Sequence, residues 1–202
     1  MGAENMTERT FLKNYFDGSL DAVKRITTGE AMIDLVSAIA SECVTSINAG
    51  GKLLFAGNGG SAADSQHMAG EYVSRFLIER PGLPAIALTT DTSILTAIGN
   101  DYGYEELFSR QIQALGKAGD VLFVYSTSGN SGNCLNGIAL ARSKNIKIVG
   151  MTGMKGGAMD SECDHIVRIP SNSTPHIQEG HLIIGHAICA LVEHSIFGNK
   201  NA

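Results

Sequence analysis

The residues with the most chemistry to offer lie in three short stretches of this 202-residue chain. The first, Gly57-Asn58-Gly59-Gly60-Ser61, follows the apolar run Leu53-Leu54-Phe55-Ala56 and opens a segment of helical periodicity that contains His67 and Glu71. A glycine-rich turn entering a helix presents free backbone N–H groups and the positive end of the helix dipole, which favours an anionic or polyhydroxyl ligand. Ser61 can cap that helix or bind a ligand. His67 and Glu71, four residues apart, share a helix face. An imidazole and a carboxylate so placed supply half of a metal site, or a base and its partner. They also suit a plain N-capped helix with a solvated His/Glu pair.

The second stretch, Ser126-Thr127-Ser128-Gly129-Asn130-Ser131, ends an apolar strand and begins a helix. Four hydroxyl side chains at a helix N-terminus can wrap a phosphate with neutral hydrogen bonds and the dipole, needing no lysine. It is neither a Walker loop nor a dinucleotide fingerprint. In the third stretch, Thr174-Pro175-His176-Ile177-Gln178, the expectation is Thr174 as N-cap and Pro175 at the first helical position. The helix then runs apolar to about Phe197, carrying His181 and His186. Gln178 and His186 lie on one side of it, about 12 Å apart along the axis. They could share one metal only by leaning together or by coming from different subunits. Alone, His181 and His186 read as core histidines.

The elements that must position these stretches follow from periodicity. Residues from about Glu8 to Ile26 place Phe11, Tyr15, Phe16, Leu20, Val23 and Ile26 at helical spacing. Thr27-Thr28-Gly29-Glu30 has the form of a capping box for a second helix ending at Gly50-Gly51. Two helices ahead of the first strand lie outside a minimal doubly wound core, and their apolar faces suit subunit contacts. From Lys52 onward, predicted strands at 53–56, 85–88, 121–125, 147–151 and 165–169 alternate with helices beginning near Ser61, Ser93, Glu105 and Ser131. This predicts an α/β fold with a doubly wound, five-stranded parallel sheet, two extra N-terminal helices and a long C-terminal helix. Ligands in such sheets bind at the carboxyl ends of the strands, here at 57–61, 89–92 and 126–131.

Composition narrows the function classes. A chain of this length with 44% hydrophobic residues suits one domain, 1–202, with a helical extension over about 8–50 and a core over about 52–197. A net charge of −5 without a Lys/Arg cluster argues against nucleic acid or an anionic membrane as partner. Cys43, Cys134, Cys163 and Cys189 are scattered, as in a reduced, cytoplasmic chain. No signal peptide is read at Met1–Thr7, and no apolar run reads as long enough to span a bilayer.

With the glycine-rich turn, the serine loop and the Ile177-Gln178-Glu179…His181…His186 helix in this order, the chain closely resembles the phosphoheptose isomerases of the sugar isomerase (SIS) domain family. The resemblance runs from about Ala31 to the end. It also takes in Arg75, the segment Arg80-Pro81-Gly82-Leu83-Pro84-Ala85-Ile86-Ala87-Leu88 and the segment Thr96-Ala97-Ile98-Gly99-Asn100-Asp101-Tyr102-Gly103. Carried over, it implies that Asn58, Gly59, Gly60 and Ser61 hold the sugar and its phosphate, and that Ser126, Thr127, Ser128 and Ser131 cradle the phosphate. Asn100 and Asp101 would contact substrate hydroxyls, with Glu71 and Gln178 also facing substrate. A zinc ion would be bound by His67, Glu71, Gln178 and His186. The implied assembly is a homotetramer with active sites between subunits.

The implied reaction is aldose–ketose exchange between sedoheptulose 7-phosphate and D-glycero-D-manno-heptose 7-phosphate, the entry to bacterial heptose synthesis. It would run through a metal-assisted enediolate, with Glu71 moving the proton between C1 and C2 and His186 serving the oxygens. Glu71 would then be ligand in one state and base in another. Where some relatives carry an acidic residue before the Ile-Gln-Glu sequence, this chain has Thr174-Pro175-His176. Two other readings of the same fold are a non-catalytic protein that binds a partner such as a replication initiator, and an isomerase or sensor of another sugar phosphate.

Overall fold

The computed structural model describes residues 7–198. Its core is a parallel sheet of five strands, β1 (Leu53–Gly57), β2 (Ala85–Ala87), β3 (Val121–Tyr125), β4 (Lys147–Gly153) and β5 (His165–Ile169), in the order β2-β1-β3-β4-β5. Seven helices surround it: α1 (Glu8–Thr27), α2 (Glu30–Asn48), α3 (Gly60–Val73), α4 (Thr92–Asp101), α5 (Leu107–Leu115), α6 (Gly132–Ser143) and α7 (Thr174–Phe197).

The strands read as unbroken apolar runs because both faces of the sheet are covered. Alternate residues enter two separate cores. Leu53, Phe55, Val121, Phe123, Tyr125, Val149 and Met151 pack with α2, α3 and α7, whereas Leu54, Ala56, Leu122, Val124 and Ile148 pack with α5 and α6. Burying each such side chain contributes roughly 1.5–3 kcal/mol before conformational entropy is subtracted. Register between β1 and the central strand β3 is fixed at their amino ends by the fully buried Asp120, which accepts from Lys52 Nζ at 2.6 Å and from the Lys52 and Lys117 amides at 3.0 and 2.9 Å.

Strand order reverses direction between β1 and β3, so their carboxyl ends splay the two following loops apart. Gly57–Gly60 and Ser126–Ser131 therefore lie side by side at one end of the sheet. α7 packs against α1, α2 and α3. By length and composition α7 is apolar enough to cross a membrane, contrary to the sequence expectation, but it buries Ile177, Ile184, Ile188 and Val192 in the first core.

Several local expectations are corrected. The Thr27-Thr28-Gly29-Glu30 stretch forms no capping box: Thr27 and Thr28 donate their hydroxyls back to Val23 and Lys24 carbonyls, and Gly29 occupies the N-cap of α2 without a side-chain bond. Ser61 does not cap α3, because Gly59 at φ +58° takes that position. α7 starts one residue early, with Ser173 as N-cap and Thr174 as its first residue. Of the apolar stripe predicted for α1, Ile26 is buried, with Ala22 beside it, and Phe11, Phe16 and Leu20 are exposed, on the face expected to suit subunit contacts. The stretch read for a signal peptide lies, apart from Thr7, outside the described residues. All four cysteines are unpaired thiols. Burial pushes Cys134, Cys163 and Cys189 up to about 12, which keeps them protonated.

Candidate active site

The site is built where α3 and α7 run side by side. A Cβ on Gly60 would collide with the Gln178 amide, and one on Gly185 would lie 2.5 Å from Met68 Sδ. The starts of the two helices thus pair, and so do their segments two turns on. That register, set by glycines permitting close approach, brings His186 to His67.

Nε2 of His186 faces Nε2 of His67 at 3.0 Å, and His67 Nε2 lies 3.1 Å from Glu71 Oε1. One ligand atom from each of the three residues falls within 4.8 Å of the others. In a tetrahedral site with bonds near 2.05 Å, ligand atoms sit about 3.3 Å apart, so the group fits a divalent ion with little adjustment. Burial, followed by the neighbouring His67, pulls the His186 pKa down, against Glu71. A neutral imidazole is the form that ligates. Two histidines and a carboxylate suit zinc and also admit other divalent ions.

Gln178 lies against Gly60, about two turns before His186 along α7. His181, on the same helix, is fully buried, with Nε2 bonded to the Thr152 carbonyl at 3.2 Å. It is the core histidine that its apolar surroundings suggested.

The serine loop is tightly held. Ser126 and Ser131 bring their hydroxyls within 3.0 Å of each other at the start of α6. Ser128 Oγ accepts from the Asn130 amide at 3.2 Å, and so serves the loop's own turn. Gly129, at φ +67°, lies so close to the Gly156 carbonyl that no Cβ could be placed there. Beside the loop is a cleft of about 280 Å³ lined by Thr127, Ser128, Asn130, Lys155, Asn172 and Thr174. A lysine therefore borders the loop that the sequence reading supplied with hydroxyls alone. Its signal was hidden because Lys155 follows β4, far along the chain.

Asn58 is committed to the scaffold. It exchanges amide hydrogen bonds with Asn133 at 2.8 and 2.9 Å and accepts from the Tyr104 hydroxyl at 2.9 Å, tying the first turn to α6. Neither Asn133 nor Tyr104 was anticipated, since nothing in their local sequence marks them. A second cavity, of about 300 Å³, lies between Asn58, Gly59, Thr89, Thr96, Gly99 and Tyr104. Asn100 and Asp101 do not line it. Both are exposed at the end of α4, where Asn100 donates to Asp101 Oδ1 at 2.7 Å. Ser61 is buried beneath the turn, its carbonyl accepting from Ser65 Oγ at 2.9 Å.

Residues 14–153 match the SIS domain family. The phosphoheptose isomerase of Burkholderia pseudomallei (strain 1710b) is 56% identical over 193 residues, covering 96% of this chain and 98% of that protein. The phosphoheptose isomerase of Aneurinibacillus thermoaerophilus is 53% identical over 190 residues, 94% and 96% of the two chains. The solved structure of a phosphoheptose isomerase from Francisella tularensis superposes with a TM-score of 0.89 at 36% identity, covering 94% of this chain and all of that one (100%).

Proposed function

This chain belongs to the phosphoheptose isomerase family of SIS-domain proteins and is an isomerase of sedoheptulose 7-phosphate in heptose biosynthesis, and we propose that Glu71 and His186 carry its proton transfers beside a divalent metal ion. The observation that carries the proposal is the convergence of His67, Glu71 and His186 from two helices onto one point. The reading as a non-catalytic partner-binding protein is set aside by the near-complete coverage of isomerases at over 50% identity.

In this reading His67, Glu71 and His186 hold zinc, with Gln178 as fourth ligand, from the same chain or from a neighbouring copy. When bound, the ion supplies Lewis acidity at the substrate carbonyl. A carboxylate oxygen of Glu71 takes the proton from one carbon of the C1–C2 pair and returns it to the other. His186 would exchange the proton of the adjacent oxygens in a state in which its Nε2 is free of the metal, and the lowered pKa keeps that nitrogen ready to accept. Ser126, Thr127, Ser128 and Ser131 hold the phosphate at the N-terminus of α6, and Asn58, Gly59, Gly60 and Ser61 shape the first turn around the sugar. Asn100 and Asp101 meet substrate hydroxyls once α4 faces a bound sugar. The helical extension 8–50 and the core 52–197 act as one cytoplasmic SIS unit, assembled as a homotetramer with sites between subunits.

The test is incubation with sedoheptulose 7-phosphate in deuterated water, with and without chelator, followed by NMR. Aldose bearing deuterium at C2, formed only with metal, is expected. Glu71→Gln should abolish exchange of the C2 proton while phosphate-dependent binding survives. Retained exchange in that variant would remove Glu71 from the proton path, and chelator-resistant turnover would remove the metal.

A further inference from the structure

Eight residues after Glu71 and seven after His186 stand Glu79 and Glu193, and it is the second that is enclosed. The side chains of Glu193 and Arg80 are each only 1% exposed and form an ion pair at 2.8 Å. Glu193 also accepts the three consecutive amides of Phe76, Leu77 and Ile78, at 3.1, 2.6 and 2.9 Å. Arg80 spends its remaining donors on the Glu71, Tyr72, Ser74 and Pro81 carbonyls, at 2.8, 2.7, 3.2 and 3.1 Å. A carboxylate on α7 and a guanidinium just beyond α3 therefore lock the last turn of α3, the segment after it and α7 into one unit. The segment so held carries Phe76, whose ring stacks on His186 with centroids 5.4 Å apart and planes 18° from parallel.

We propose that Phe76 is a positioning residue for the metal group: the Arg80–Glu193 latch presses its ring flat against the His186 imidazole and so aims Nε2 at His67 and Glu71. The inference rests on the metal reading above and deepens it. The geometry gives the latch this use because an imidazole ring can otherwise rotate about two side-chain torsions. His67 meets the ring at its Nε2 edge, with Glu71 bonded in turn to His67, whereas Phe76 stacks on the ring face. Outer-shell groups that hydrogen-bond to a ligating histidine and fix its ring typically matter 10–100-fold in metal affinity, which sets the scale for a group fixing the ring by stacking. Among the described residues no other ring stacks parallel to His186, the His67 ring being tilted by 56°.

The experiment is zinc titration of the purified full chain against a chromophoric chelator, for wild type, Phe76→Leu, Phe76→Tyr and His186→Gln. Phe76→Leu keeps apolar volume but removes the flat face, and should weaken zinc binding about 10-fold or more. Phe76→Tyr should stay within about twofold of wild type, a rescue that a merely space-filling role would not require. Zinc binding by wild type with undiminished affinity in Phe76→Leu overturns the positioning role and leaves the metal reading standing. Wild type that binds no zinc at this site, or binds it equally well in His186→Gln, overturns the metal reading and the inference with it. NMR of the metal-free protein gives an independent check: the His186 ring protons should be shifted upfield by the stacked phenyl ring and lose that shift in Phe76→Leu. Unchanged His186 resonances would show that the stacking is not populated. Glu193→Gln should reproduce the loss of affinity if it folds, and Phe76→Leu decides the question if it does not.

Discussion

The side chains that flank the proposed chemistry differ in how far the protein bends their protonation. Asp64, Tyr125 and His181 converge behind the serine loop, and Asp64 Oδ2, the Tyr125 hydroxyl and His181 Nδ1 are buried without a hydrogen-bond partner among the described residues. Burial pushes the Asp64 carboxyl up from 3.8 to about 6, opposed by His67, and draws His181 down from 6.5 to about 4, opposed by its bond to Thr152. The two shifts act on stability with opposite sign. Between about pH 4 and 6.5 the unfolded chain binds the His181 proton more readily, so stability from His181 is lost as pH falls. Between 3.8 and about 6 the folded chain holds the Asp64 proton more readily, so stability from Asp64 is lost as pH rises. For the fully buried His181 the full effect is roughly 3 kcal/mol. Asp64→Asn should therefore steepen the loss of stability on acidification from pH 6 to 4, and His181→Gln should flatten or reverse it. Urea midpoints of the chelator-treated proteins across that range measure both; curves parallel to wild type would contradict the assignment. None of this was legible in the sequence, where Asp64 is one more residue of a helix and only burial gives it a role.

At the scale of elements, what was legible was what depends on local pattern. Continuous apolar runs gave the strands within two residues at each end, because a sheet covered on both faces needs no alternation. His67 and Glu71 were readable as a pair because four residues is one helical turn. His186 joins them only through the packing of α3 on α7, which no spacing encodes; it came from the resemblance. The capping box failed for a local reason, since a threonine hydroxyl in the last turn of α1 reaches its own helix's carbonyls sooner than the start of α2. The same packing makes Gly60 informative. Alanine there should favour helix by up to about 1 kcal/mol, yet its methyl would displace the Gln178 amide from the first turn. Gly60→Ala is therefore expected to melt near the wild-type temperature while losing kcat by at least about tenfold, roughly 1.4 kcal/mol of transition-state stabilisation. Unchanged kinetics would mean that the position of Gln178 is immaterial to turnover. Loss of stability instead would place the strain in the turn rather than at the glutamine.

For the molecule as a whole, the unexplained feature is the outer face of α1. Leu12, Phe16 and Leu20 recur every four residues and, with Phe11, are 51 to 65% exposed, which forms an apolar stripe along one side of the helix. The inner side is accounted for by polar contacts to α7, including Tyr15 and Ser19 donating to Glu179 and Tyr15 packing edge-on against His176. A helix held inward by hydroxyls and turned outward with leucine and phenylalanine is the reverse of a solvated surface helix, and contiguous exposed apolar patches mark interaction sites. The proposed tetramer gives the stripe its occupant, a second copy of the chain. It also accords with the expectation that the apolar faces of helices added outside the doubly wound core suit subunit contacts: periodicity fixes a face, and the position of the helix outside that core turns it toward a partner. Replacing Phe16 and Leu20 together by serine should lower the mass measured by sedimentation below that of wild type, with little change in helix content. If the active sites are shared between subunits, turnover per chain should then fall as the protein is diluted through its dissociation range, and recover on concentration. A variant that keeps the wild-type mass would exclude α1 from the interface. One that dissociates with full activity per chain would show that each copy holds a complete site, and that Gln178 and His186 act within a single chain.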